Sequence, residues 1–139
     1  MAISFYQLDV PLPRFKRKHL KNVLQNHIAS KNKIAGSINV IFCSDEYLLD
    51  MNKMHLNHDY LTDVITFDFC DGKLVQGDVY ISYDRLKENA GFYQVSLEKE
   101  IVRVVGHGVC HLLGFSDKTE EEQTKMRLEE EKILVRYQK

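Results

Sequence analysis

At 139 residues the chain is long enough for one domain with its own hydrophobic core, so it needs no staples. Its 44% apolar and 28% charged residues exclude a disordered or fibrous chain. No apolar run reaches the length of a membrane span and no signal pattern opens the chain, so the expectation is a cytoplasmic protein without a membrane partner. The net charge of −1 does not mark a nucleic-acid binder, but the charge is uneven. From Val10 to Ser44 there is no Asp or Glu, while Arg14, Lys16, Arg17, Lys18, Lys21, Lys31 and Lys33 fall there. Such a stretch is either a phosphate-facing patch or a solvated helix face.

Ile3 to Leu8 reads as a first strand, closed by Pro11 and Pro13. Residues 14–30 read as an amphipathic helix. Leu20, Val23, Leu24, His27 and Ile28 form its inner face, His27 as a packed histidine, and Arg14, Lys18 and Lys21 form a basic stripe. Gly36 ends the connection. Ser37 to Cys43 alternates as a strand, and Ser44 caps a helix from about Asp45 that buries Tyr47, Leu48 and Met51. Asn52 to Asp63 contains a polar loop. Strand 64–69, the turn signal Asp71-Gly72 and a return strand from about Lys73 to Ser82 predict an antiparallel pair. Tyr83 to Phe92 reads as a short helix ending near Gly91. Ser96 caps a helix that runs to Leu113 with a broad apolar face, the central buried helix. Thr119-x-x-Glu122 is a capping box opening a last helix, which buries Met126, Ile133, Leu134 and Tyr137. The whole predicts an α+β domain: a mixed four-stranded sheet packed with about five helices.

Residues 107–117 read His-Gly-Val-Cys-His-Leu-Leu-Gly-Phe-Ser-Asp. His107 and His111 fall one helical turn apart on one face. Gly114 suits a helix stop, after which the chain can bring Asp117 back beside the rings. Two imidazoles and a carboxylate with an open position are how catalytic zinc is held. Histidines four apart are also common as unrelated surface or core residues, and Asp117 also suits a turn cap near Thr119. Gly108 stands where zinc peptidases of the H-E-x-x-H type carry their general base, so peptide hydrolysis lacks its proton acceptor. The three cysteines, Cys43, Cys70 and Cys110, form no C-x-x-C pair and read as buried free thiols. Cys110 points about 100° away from His111 on a helix and is not expected to be a ligand.

The segment from His107 to Asp117 resembles the H-G-x-L-H-L-x-G-Y-D-H signature of the YbeY family of metal-dependent endoribonucleases. His107, Gly108, His111, Leu112 and Gly114 match; Cys110, Phe115 and Ser116 depart, and Asp117 stands where a third histidine is usual. Met51-Asn52 with Leu61 to Phe67 resembles the family's L-N…P-T-D-V-L-S-F, and Gly77 to Ser82 resembles its G-D-I-x-I-S. Three motifs in the same order are far more specific than one.

The resemblance implies one zinc ion on His107, His111 and Asp117. It also implies cleavage of single-stranded ribosomal RNA, in maturation of the 3′ end of the small-subunit RNA and in ribosome quality control, with a small-subunit ribosomal protein as a partner. Zinc lowers the pKa of coordinated water and polarises a phosphoryl oxygen. Asp117 in place of a histidine makes the site more negative and that water less acidic, which widens the choice toward nickel or manganese, zinc first. The general base is open. Asp78 is a candidate or the polar end of a strand, and Asp63 reads rather as a turn residue. Thr66 and Ser82 line the cleft or pair across the sheet. The family's arginine before T-D-V falls at Leu56, which cannot hold a phosphate; His58, His55, Lys53 and Arg85 are the cations that can stand in, His58 first. Two other readings stand beside this one: a non-catalytic ribosome-assembly factor with a structural metal, and a metal-dependent hydrolase of another substrate.

Overall fold

The computed structural model describes residues 3–56, with side chains as far as Met54, and residues 62–139. The elements are β1 (Ile3–Gln7), α1 (Arg17–Ser30), β2 (Ile34–Cys43), α2 (Asp45–Leu56), β3 (Val64–Asp68), β4 (Leu74–Ser82), α3 (Tyr83–Tyr93), α4 (Leu97–Leu112) and α5 (Glu120–Gln138). The strands form one mixed sheet in the order β1-β2-β4-β3. β1 and β4 run parallel to β2, and β3 is antiparallel to β4. This is the expected α+β architecture.

Period-two alternation decides what each face of the sheet carries. Ile38, Val40 and Phe42 of β2 and Val75, Val79 and Ile81 of β4 are buried with Leu20, Leu24 and Ile28 of α1 and Ile101, Val105 and Val109 of α4. The opposite face carries a smaller cluster, in which Leu48 and Met51 of α2 cover Cys43, Ile65, Phe67 and Tyr80. Helix α4 lies on β3 and β4 and also touches α1, α3 and α5. Its approach to the sheet depends on Gly108: a Cβ there would stand 2.5 Å from Val79 Cγ1. The expected inner face of α1 is buried as a set, His27 included.

Several boundaries differ from the sequence expectation. Helix α1 begins at Arg17 and not at Arg14, because Phe15 is packed edge-on against Phe5 and Phe42 and keeps the connector out of the helix. Gly36 lies inside β2, at a register shift between Ala35 and Ile38. Helix α2 extends to Leu56, into the expected loop. Tyr47 is exposed, and Leu48 and Asn52 are the buried residues of that helix. Helix α3 ends beyond Gly91, with Gln94 in the left-handed conformation. Among the described residues no helix is long and apolar enough to cross a membrane.

Candidate metal centre

The last turn of α4 builds the centre. Leu113 is the C-cap, and Gly114 follows with φ +100°, where a side chain would be strained. The Gly114 amide donates to the His111 carbonyl and the Phe115 amide to the Cys110 carbonyl, both at 3.0 Å. That pair of bonds is a Schellman turn, and it reverses the chain. Asp117 then lies just ahead of α5, whose start is held by the Thr119–Glu122 capping box. Gln123 Nε2 donates to the Asp117 carbonyl at 3.1 Å and ties the bend down.

The expected ligands come together. His107 Nε2 and His111 Nε2 are 3.0 Å apart. Asp117 Oδ2 is 3.3 Å from the first and 3.6 Å from the second. His107 Nδ1 bonds Glu130 Oε2 at 2.6 Å, and His111 Nδ1 bonds the Phe115 carbonyl at 3.1 Å. Both partners only accept, so each Nδ1 donates, and the tautomer assigned from those bonds leaves a lone pair on each Nε2. Two lone pairs and a carboxylate oxygen therefore face one point, a donor set that could hold a metal ion. Donors on a tetrahedral zinc with bonds of 2.0–2.1 Å stand about 3.3 Å apart, so the spacing fits zinc. Among the described residues, these three form the one group of at least three His, Cys, Asp or Glu side chains able to hold a metal.

Charge separates the two rings. Burial disfavours the charged form of His107, but the bond to Glu130 and the charges of Glu130, Asp117 and Asp63 outweigh it and raise its pKa. Burial lowers the pKa of His111, and the neighbouring His107 lowers it further. Without a metal, a proton on His107 can bridge the rings; a metal ion must displace it.

Glu130 and Arg103 were not foreseen as members of the centre. Glu130 is a nearly buried carboxylate on the apolar stripe of α5, in register with Met126, Ile133, Leu134 and Tyr137. A charge on that stripe was the signal. Arg103 donates to Glu100 at 3.0 and 2.6 Å and reaches Glu130 at 3.5 Å. A carboxylate behind a ligand histidine fixes its tautomer and orientation. The Asp63 carboxylate adds to the negative field at both His107 and Arg103, while its carbonyl accepts from the Ser82 amide.

Asp78, the candidate general base of the sequence, does not join them. Val79 packs on Gly108, so its neighbour Asp78 points to the other face of the sheet. There it accepts from Asn39 Nδ2 at 3.0 Å. Ser82 is structural as well: it caps α3 and donates to Asp45. Arg85 is held by Asp45 and Glu88. His58 lies outside the described residues. Cys110 and Cys43 are free and fully buried, and burial pushes both thiols up to about 12.

The chain is similar to known proteins along most of its length. A family model described as endoribonuclease YbeY matches residues 3–138. A protein of Flavobacterium psychrophilum named endoribonuclease YbeY is 44% identical over 95% of this chain and 94% of its own length. Those of the same name from Porphyromonas gingivalis and Bacteroides thetaiotaomicron are 41% and 40% identical. These matches cover 96% and 97% of this chain, and 88% and 98% of the relatives. A solution structure of a Thermotoga maritima protein superposes with a TM-score of 0.65 at 26% identity, covering 98% of this chain and 91% of that one. With a matching fold and a match along nearly its whole length, the chain belongs to the YbeY endoribonuclease family.

Proposed function

We propose that this chain is a zinc-dependent endoribonuclease that cleaves single-stranded ribosomal RNA in the cytoplasm. Its expected role is maturation of the 3′ end of the small-subunit RNA and ribosome quality control, beside a small-subunit ribosomal protein. The observation that carries the reading is the convergence of His107 Nε2, His111 Nε2 and Asp117 Oδ2, with both Nδ1 atoms already bonded away from that point. A zinc ion held there supplies Lewis acidity toward a phosphoryl oxygen and lowers the pKa of a coordinated water. The protein's own part is orientation. Glu130 holds the His107 ring, Arg103 holds Glu130, and the Schellman turn presents the Phe115 carbonyl to His111.

The site disfavours peptide hydrolysis. A glutamate at position 108 would be driven into Val79, so α4 can carry no proton acceptor there without leaving the sheet. His58 remains the sequence's candidate for an RNA contact; an H58A variant that cleaves at the wild-type rate removes it.

Metal analysis alongside cleavage of single-stranded RNA by wild type and H111A tests the proposal. Wild type should hold about one zinc per chain and cleave, and H111A should lose both. Stoichiometric metal in a wild type that cleaves no RNA would sink the enzyme reading in favour of an assembly factor. An Asp117→Ala variant that binds zinc as tightly as wild type would remove Asp117 from the ligand set.

A further inference from the structure

The metal centre opens into a cavity of about 190 Å³ between α4 and α5. Its walls include His107, Asp117, Arg103 and Arg127. A second cavity of about 290 Å³ shares Arg103 and Arg127 and continues along the same seam to Tyr93. Arg127 therefore stands where the two meet, on the wall of the cavity that opens from the metal centre. The two arginines are not equivalent. Arg103 is committed to the buried Glu100 and to Glu130. Arg127 is exposed, and among the described residues no carboxylate lies within ion-pair distance of it.

Charge makes that guanidinium consequential. Asp63, Glu100, Asp117 and Glu130 surround the His107–Arg103 region, and Arg103 offsets only one of them. A divalent ion would offset part of the remainder, and an anionic substrate still meets carboxylates on the cavity wall. Arg127 adds a positive charge to that wall and offers a planar fork of donors that matches two oxygens of a phosphodiester. We propose that Arg127 binds a backbone phosphate of single-stranded RNA beside the metal centre, with the flanking nucleotide in the cavity that runs toward Tyr93. This rests on the RNA-cleavage reading above, but its test separates the two.

The variants are Arg127→Ala and Arg127→Lys. Affinity for a short single-stranded 2′-O-methyl RNA, checked for recovery intact, is measured against salt, together with zinc content and cleavage of the unmodified RNA. In R127A the slope of log affinity against log salt should shrink by about 0.7, one phosphate contact on a single strand. Cleavage should fall by about 100-fold, the loss typical of one oriented donor, while zinc content stays at the wild-type value. R127K should recover the slope but not the full rate, since an ammonium is a point charge and not a fork. A wild-type salt slope in R127A, whatever happens to cleavage, overturns the assignment. A reduced slope in R127A beside a wild type that cleaves no RNA upholds Arg127 as an RNA contact and defeats the enzyme reading instead.

Discussion

Helix α5 carries two adjacent glutamates, and each binds a histidine on a different helix, one buried and one half-buried. Glu129 bonds His27 Nε2 of α1 at 2.9 Å, and Glu130 bonds His107 Nδ1 of α4 at 2.6 Å. The pairs look alike, yet the histidine pKa values move in opposite directions. His27 is lowered, by burial above all, and the attraction of Glu129 does not recover it because Lys31 opposes. Lys31 at 2.8 Å and Lys132 at 3.0 Å already hold that carboxylate. His107 is raised because Asp117 and Asp63 add to Glu130. The other ring nitrogens differ too. His27 Nδ1 is buried without a hydrogen-bond partner, whereas His107 Nε2 faces His111 and Asp117. A histidine–carboxylate pair is thus no sign of a site. What counts is where the second nitrogen looks.

The largest expected effect comes from breaking one pair and sparing the other. Glu130→Gln keeps the shape but weakens the acceptor that fixes the His107 tautomer. Zinc affinity should fall about 10–100-fold, the usual range for an outer-shell partner of a ligand histidine. Glu129→Gln should leave zinc affinity unchanged. Competition with a chromophoric chelator measures both. Equal losses in the two variants would mean that α5 acts on the metal only through general packing.

The candidate triad was legible in the sequence because it is local: eleven residues, one helical turn and a glycine stop hold all of it. The strands and helices were legible for the same reason, as alternation and helical spacing are short-range signals. Glu130 and Arg103 depend on how α5 is seated against α4, which no local pattern states. Asp78 shows the same limit from the other side. The Gly77–Ser82 motif identifies a strand but not which face of it meets α4. That is decided by Gly108 against Val79, two residues 29 apart in the chain. The triad's outer partners and the sheet face were thus tertiary facts, while its ligands were secondary-structure facts.

Acid should distinguish the two histidines with a smaller effect. His27 has a native pKa below its unfolded value, so on acidification below about pH 6.5 the unfolded chain takes up a proton that the native state refuses. Its contribution to stability is present above that pH and is lost as pH falls, by at most about 1.4 kcal/mol per unit. His107 in the metal-free protein works in reverse: its native pKa is raised, so its contribution is present below about pH 6.5 and lost as pH rises through the native value. Urea unfolding of chelator-treated protein from pH 7 to 5 isolates the first effect when wild type is compared with His27→Gln. Wild type should lose stability relative to H27Q as pH falls. Parallel curves would show that His27 takes up its proton at the same pH in the folded and unfolded chain, and a relative gain by wild type would show it charged in the fold; either result opposes the reading.

The smallest effect tests whether the start of α5 matters more to one pair than to the other. Thr119 accepts from the Glu122 amide at 3.1 Å, and Glu122 reaches back to the Thr119 amide at 3.0 Å. Thr119→Ala removes half of that box and should cost about 1 kcal/mol of stability. Asp117 lies two residues ahead of the cap, while Glu129 lies ten beyond it and is held by Lys31, Lys132 and His27. Loosening the first turn therefore frees the carboxylate ligand and leaves the His27 pair in place. Zinc affinity should drop by less than Glu130→Gln causes, because the Gly114 turn and the Gln123 bond still hold the bend. The acid dependence attributed to His27 should stay at its wild-type value. A T119A protein with wild-type zinc affinity would place the whole positioning of Asp117 in the Gly114 turn and Gln123, and none of it in the cap.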